Sequence, residues 1–182
     1  MYSAEYKALL VQAHTDDPAW GTTAPRHARD VAEMARAAGT RNILDYGAGK
    51  GELARELESI FPEAFDVAEY DPAIEGKDAS PEPCKMVACI DVIEHVEPEC
   101  IDAVLDDLQR CITGTGYLVI STQKALKILS DGRNAHLLIK PFSFWQAAIS
   151  SRFKVVLEEN KNDSECKFTV VPLGNKGENS DL

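Results

Sequence analysis

The sequence predicts an α/β fold: a doubly wound, mostly parallel sheet closed by a C-terminal antiparallel hairpin. Three observations predict it. Short apolar runs alternate with amphipathic stretches between about residues 26 and 122, the pattern of strand and helix in turn. Gly47, Gly49 and Gly51 follow the first apolar run and lead straight into a helical stretch. Two β-rich runs late in the chain are separated only by Asn160 to Asp163, which is hairpin spacing.

In chain order, Ser3 can cap a helix to about Gln12. After a loop with Asp17, Pro18, Gly21 and Pro25, a second helix runs from about Arg26 to Ala38, stopped by Gly39. Asn42 to Asp45 is a strand, Tyr46 to Gly51 a glycine-rich turn, and Glu52 to about Phe61 a helix that ends before Pro62. Phe65 to Tyr70 and Met86 to Ile90 read as strands, Pro98 to Ile112 as an amphipathic helix, and Tyr117 to Thr122 as a strand after a turn at Gly114 and Gly116. Pro141 begins a helix to Ser150, and Phe153 to Glu158 with Glu165 to Val171 form the hairpin.

At 182 residues with 45% hydrophobic and 27% charged, the chain has the balance of one globular domain and not that of a disordered or collagen-like one. Residues 1–173 are read as that domain, 1–40 supplying N-terminal helices and a lid, and 174–182 as a flexible polar tail. No apolar run reaches the roughly 18 residues of a membrane span. Met1 to Leu10 carries Glu5 and Lys7 and lacks the pattern of a leader, so a cytoplasmic location is expected. Five cysteines without a CxxC pair read as free thiols, and the scattered histidines and carboxylates show no metal-ligand spacing, so no metal is expected.

A formal charge of −11 disfavours nucleic acid and anionic membrane surfaces as partners. The charge is uneven. Glu63 to Asp107 holds fourteen carboxylates, whereas Gln123 to Asn162 holds seven basic residues against three acidic ones, so a small anionic group is compatible with the second stretch.

A glycine turn between a buried strand and a helix lets a ligand approach backbone N–H groups. A phosphate-binding P-loop would require glycine at Leu44 and Ser or Thr at Gly51. A dinucleotide turn would require GxGxxG, yet the run is GxGxG between Asp45 and Glu52, and carboxylates beside a pyrophosphate are unfavourable. S-adenosylmethionine carries a sulfonium and an ammonium, with which acidic neighbours are compatible. Asp71, at a strand end about twenty residues beyond the glycines, is placed to read a ribose diol.

Leu44-Asp45-Tyr46-Gly47-Ala48-Gly49-Lys50-Gly51 resembles the first motif of class I S-adenosylmethionine-dependent methyltransferases, and Val67-Ala68-Glu69-Tyr70-Asp71-Pro72 resembles the second. Met86 to Val96, including Asp91-Val92-Ile93-Glu94-His95, is similar to the fourth-strand motif of that family's small-molecule branch, and the whole to short bacterial and phage-encoded members. The resemblance implies a Rossmann-like fold with S-adenosylmethionine as cofactor and, for a phage-encoded chain, the host cytoplasm as its location. It further implies that Asp45 belongs to the cofactor site, that Gly47 and Gly49 line the methionine part, that Asp71 holds the ribose, that Asp78 and Ala79 flank the adenine, and that Asp91 closes the pocket near the sulfonium. One departure is visible: fourteen residues between Asp71 and Met86 are too few for the family's usual helix, third strand and return loop, so that strand is expected to be reduced or absent.

The acceptor is expected to be a small molecule. Asp91-Val92-Ile93-Glu94 differs from the Asn/Asp-Pro-Pro-aromatic set used on DNA amines, and Pro83-Cys84 precedes the strand, where no cytosine nucleophile would stand. Asp131 to Trp145 mixes basic, imidazole and aromatic groups. Within it His136 is the candidate general base, with Arg133 or Lys140 to hold an anionic substituent. His95 is a second candidate for catalysis or for the pocket floor, and His14 and Trp20 for the lid. Alternatives are a nucleotide-, nucleic-acid- or protein-directed methyltransferase and a non-catalytic S-adenosylmethionine-binding regulatory module. A basic groove around Lys124, Lys127, Arg133 and Lys140 would favour the first two of these. The oligomeric state is not legible.

Overall fold

Ser3 begins the first helix as its residue type allows: its hydroxyl accepts the Tyr6 N–H at 3.1 Å, satisfying a donor that the first turn leaves free. The computed structural model describes residues 3–17 and 20–174; the proposed tail from 175 onward lies outside the described residues. After α1 (Ala4–Asp16), a 3-10 turn at Ala24–His27 leads into α2 (Ala28–Ala37). Gly39, at φ 63°, ends α2, and the N–H groups of Gly39 and Thr40 bond back to the carbonyls of Arg36 and Ala35. Then follow β1 (Asn42–Tyr46), α3 (Glu52–Ile60), β2 (Asp66–Tyr70), β3 (Cys84–Ile90), α4 (Ile101–Cys111) and β4 (Ile112–Ser121). The chain closes with α5 (Phe142–Ser150), β5 (Phe153–Lys161) and β6 (Glu165–Pro172).

The six strands form one sheet in the order β2-β1-β3-β4-β6-β5. The first four are mutually parallel, while β6 runs antiparallel to both β4 and β5. Alternation along the strands feeds two cores. Ile43, Met86, Ala88 and Val119 pack with Val31 and Ala35 of α2 and Leu53 and Leu57 of α3. Leu44, Val87, Cys89, Leu118 and Ile120 face the other way, toward Leu105 and Leu108 of α4 and Trp145 and Ile149 of α5. A third cluster joins Tyr6 and Leu10 of α1 to Trp20, Leu129 and Ala135. No helix among the described residues is long and apolar enough to cross a membrane.

Residues 71–83 hold no strand or helix, so the third strand expected to be reduced is absent. The strand expected from Tyr117 begins five residues earlier, directly at the end of α4, as β4. Gly114 and Gly116 are not turn residues there. A Cβ on Gly114 would lie 2.6 Å from the Lys85 carbonyl oxygen, and one on Gly116 2.6 Å from Ile112 Cδ1, so close packing explains these glycines.

Ser3 does more than cap. Its hydroxyl donates to Glu97 Oε1 at 2.7 Å and its N–H to Oε2 at 2.8 Å, pinning α1 to the segment after β3. Ser3→Ala should lower stability by about 1 kcal/mol or somewhat more, read as a lower denaturation midpoint, whereas an unchanged midpoint would show that the cap and its carboxylate contribute nothing.

Candidate active site

Strand β1 pairs with β2 on one side and β3 on the other, so the winding reverses at β1 and opens a crevice at the carboxyl ends of these strands. The glycine turn lies on that crevice. Gly47, Gly49 and Gly51 have φ of 86°, 50° and 78°, conformations that a side chain rarely accepts. The N–H groups of Gly47 and Ala48 both donate to the Tyr70 carbonyl, at 2.7 and 2.9 Å. That of Gly49 donates to Asp71 Oδ2 at 2.8 Å, while Asp71 Oδ1 accepts from Ala73 at 2.9 Å. The end of β2 thus splints the turn. A Cβ on Gly47 would stand 2.3 Å from Val92 Cγ2.

Around this turn is a cleft of about 470 Å³, lined on the sheet side by Gly47, Gly49, Asp71 and Asp91. His14 and Trp20 face it from the N-terminal segment, and His95 and His136 from the far end. Tyr6 of α1 donates its hydroxyl to the His95 carbonyl, and Lys50 reaches the Asp17 carbonyl at 2.6 Å, so the N-terminal helix is fastened over the opening. A second hollow of about 410 Å³ lies between Asp30, Tyr117, Leu157 and Lys167, away from the glycine turn.

Each sequence-predicted residue has a definite place. Asp45, on β1, is buried beneath the turn with Oδ2 unpartnered; burial first, and then Glu69, push its carboxyl up to about 7. Lys77 beside it donates to the Gly49 carbonyl and pairs with Glu69, both at 3.0 Å. Asp91 has φ 54° and accepts from Thr23 at 2.6 Å and from Arg26 at 2.9 Å; Arg26 also reaches Glu165 at 2.7 Å. Asp78 and Ala79 are exposed and are not brought to the cleft, and Asp78 pairs with Lys7 at 3.4 Å.

His95 and His136 meet edge to face, with ring centroids 4.7 Å apart. Nδ1 of His95 lies 2.8 Å from the Ala135 carbonyl and Nδ1 of His136 against that of Gln123. A carbonyl only accepts, so Nδ1 carries a proton in each ring, and in the neutral imidazole the lone pair is on Nε2. Burial, and next the neighbouring His136, push His95 down to about 3, so it is neutral near pH 7. Glu94, to which sequence reasoning gave no role, is fully buried. Its Oε1 accepts the Ser121 N–H at 2.9 Å and its Oε2 has no partner, and burial followed by Asp91 raises it to about 8. The signal for it was a carboxylate inside the apolar run Val92-Ile93-Glu94-His95-Val96. Arg26 and Thr23, which hold Asp91, carried no such signal.

Comparison with known proteins agrees with this architecture. A family model described as "Methyltransferase domain" matches residues 20–153. The chain belongs to this family, within the class I S-adenosylmethionine-dependent methyltransferases. No curated protein matches it by sequence. Among solved structures it is similar to the 1,6-didemethyltoxoflavin-N1-methyltransferase of Burkholderia thailandensis, which holds 1,6-didemethyltoxoflavin and S-adenosylhomocysteine. The identity is 14%, the TM-score 0.66, and the match covers 92% of this chain and 89% of that one. It is also similar to the PH0226 protein of Pyrococcus horikoshii OT3, at 14% identity and TM-score 0.63, over 89% and 99% of the two chains. Human N-acetylserotonin methyltransferase in complex with S-adenosylmethionine matches at 13% identity and TM-score 0.53, over 80% of this chain and 51% of that one.

Asp45 gives a pH-dependent stability. Its folded pKa lies above the ordinary 3.8, so folding favours the protonated form; the stability this site allows is fully present below about pH 4 and is lost as the pH rises to about 7. Asp45→Asn should therefore gain stability relative to the parent between pH 4 and 7, with the difference constant above. Paired melts across that range check it, and a pH-independent difference would show that the carboxyl titrates normally.

Proposed function

We propose that the protein transfers a methyl group from S-adenosylmethionine to a small, largely apolar acceptor that carries one hydroxyl or amine, bound between the glycine turn and the His95–His136 pair. The cleft at the winding reversal carries this reading, with the glycine turn and Asp71 at one end and the two imidazoles at the other.

The residues present fit the cofactor. The turn that borders the cleft carries no side chain at Gly47, Gly49 or Gly51, and a Cβ at Gly47 or Gly51 would strike Val92 or Glu69 and push the turn out of place. Each Asp71 oxygen already accepts one backbone N–H, and a carboxylate has about four acceptor sites, so two remain for the ribose hydroxyls. Asp71 places negative charge beside the turn, which a sulfonium and an ammonium compensate and a pyrophosphate does not. When bound, S-adenosylmethionine supplies an electrophilic methyl group, so the chain's own task is chiefly to place a nucleophile in line and relieve it of a proton. Trp20, Leu10 and Ala135 offer the acceptor an apolar wall. Nε2 of His136 is the atom placed to take a hydrogen bond, and then the proton, from its reacting group.

A small acceptor is favoured over a nucleic acid because two of the four basic residues of the groove that the latter would need are paired with acidic groups. Lys127 pairs with Asp17 at 2.7 Å and Arg133 with Asp131 at 2.6 Å. Arg133 and Lys140, expected to hold an anionic substituent, are not cleft-lining residues; we therefore assign the acceptor no charge. We propose a cytoplasmic location, one domain over residues 1–173, and turnover in place of a purely regulatory role, since the cleft reaches both imidazoles.

S-adenosylhomocysteine at about a hundred times its dissociation constant should stabilise the fold by roughly 2.7 kcal/mol, and NAD or ATP should not. Asp71→Ala should weaken that binding by about 1 to 3 kcal/mol. Calorimetry decides, and full affinity without Asp71 would place the ribose elsewhere.

Incubation with methyl-labelled S-adenosylmethionine and fractionated cell extract should label a low-molecular-weight compound; label appearing only in protein or nucleic acid would overturn the small-molecule reading. On the acceptor so found, His136→Ala should slow transfer by about 10² to 10⁴ with cofactor affinity retained. Undiminished turnover would remove His136 from the chemistry.

A further inference from the structure

Glu94 and His95 follow one another after β3, whereas His136 lies some forty residues on, beyond β4. Folding nevertheless brings a ligand-type atom of each within 4.8 Å of those of the other two. Such a set, two imidazoles and one carboxylate, is the donor set of open divalent-metal sites. We propose that Glu94, His95 and His136 form a binding site for a divalent first-row transition cation, open to the cleft, that receives the acceptor's hydroxyl oxygen.

Features of both the carboxyl and the imidazoles support this assignment. Glu94 Oε2 is buried and has no partner within the protein, an arrangement that is costly for a carboxylate unless a cation or donor meets it. Both imidazoles give Nδ1–H to backbone carbonyls, of Ala135 and Gln123, which fixes the tautomer and ring orientation as outer contacts do for metal-bound histidines. Glu94 itself is oriented through Oε1 by the Ser121 N–H, so the free oxygen is the one left to coordinate. Three protein ligands leave positions open on the cation, and His95 and His136 both line the cleft.

The inference rests on the acceptor-side reading of the same two histidines and alters the chemistry there. A hydroxyl on a cation is more acidic and can release its proton to solvent, so His136 serves as a ligand and no side chain need act as base. The acceptor class narrows to oxygen nucleophiles.

The test uses the full chain, stripped with a chelator and titrated with Co²⁺, whose visible absorption reports its coordination. One equivalent should bind, and both His136→Ala and Glu94→Gln should lose affinity by about a hundredfold or more while melting cooperatively. S-adenosylhomocysteine binding is measured on the same samples. Absence of a stoichiometric Co²⁺ site, or unchanged Co²⁺ binding in a folded variant of either kind, would overturn the proposal. Retained S-adenosylhomocysteine binding in that event would leave the methyltransferase reading standing, and its loss from the parent protein would defeat that reading instead.

Discussion

The hold of β2 on the turn that follows β1 is the constraint on which the rest of the site depends. Three consecutive backbone donors, of Gly47, Ala48 and Gly49, are spent on the Tyr70 carbonyl and the Asp71 carboxylate. That arrangement fixes where the backbone lies at the carboxyl end of a parallel strand, and the left-handed glycines allow it. Helix α3 can then begin at Glu52, and Asp71 is oriented by the same bonds. Because the winding reverses at β1, this turn borders open space and not another strand.

Charge around the cleft follows a single logic. Asp45, Asp71 and Glu94 are buried carboxylates in a chain of net charge −11, and burial raises Asp45 and Glu94 well above ordinary carboxyl values. Lys77 and Arg26 offset part of this, each divided between partners. Ionising Asp45 and Glu94 in place is costly unless the charge is compensated, and burial otherwise favours their protonated forms. Cationic ligands, first the cofactor's sulfonium and ammonium and then a metal ion, would compensate it at both ends of one cleft.

Much of the fold was legible because it depends on local pattern. The apolar runs that became β1, β2 and β3, and the caps at Ser3 and Gly39, are statements about neighbouring residues. The misread start of β4 shows where local reasoning fails: Gly114 and Gly116 look like turn residues, yet their smallness answers to Lys85, Ile112 and Val170, a packing that no local window contains. The site divides in the same way. The glycine turn and Asp71 lie within one strand, turn and strand unit and could be read there. The fastening of Asp91 by Arg26 and the meeting of His95 with His136 join residues 65 and 41 positions apart, which the sequence does not announce.

The most direct test of the account is a crystal structure with S-adenosylhomocysteine. The account predicts the ligand along Gly47 to Gly49, its ribose on Asp71 and its sulfur facing the space before His95 and His136. A ligand seated in the hollow between Asp30, Tyr117 and Lys167, or one in the cleft with its sulfur turned away from the imidazoles, would contradict it.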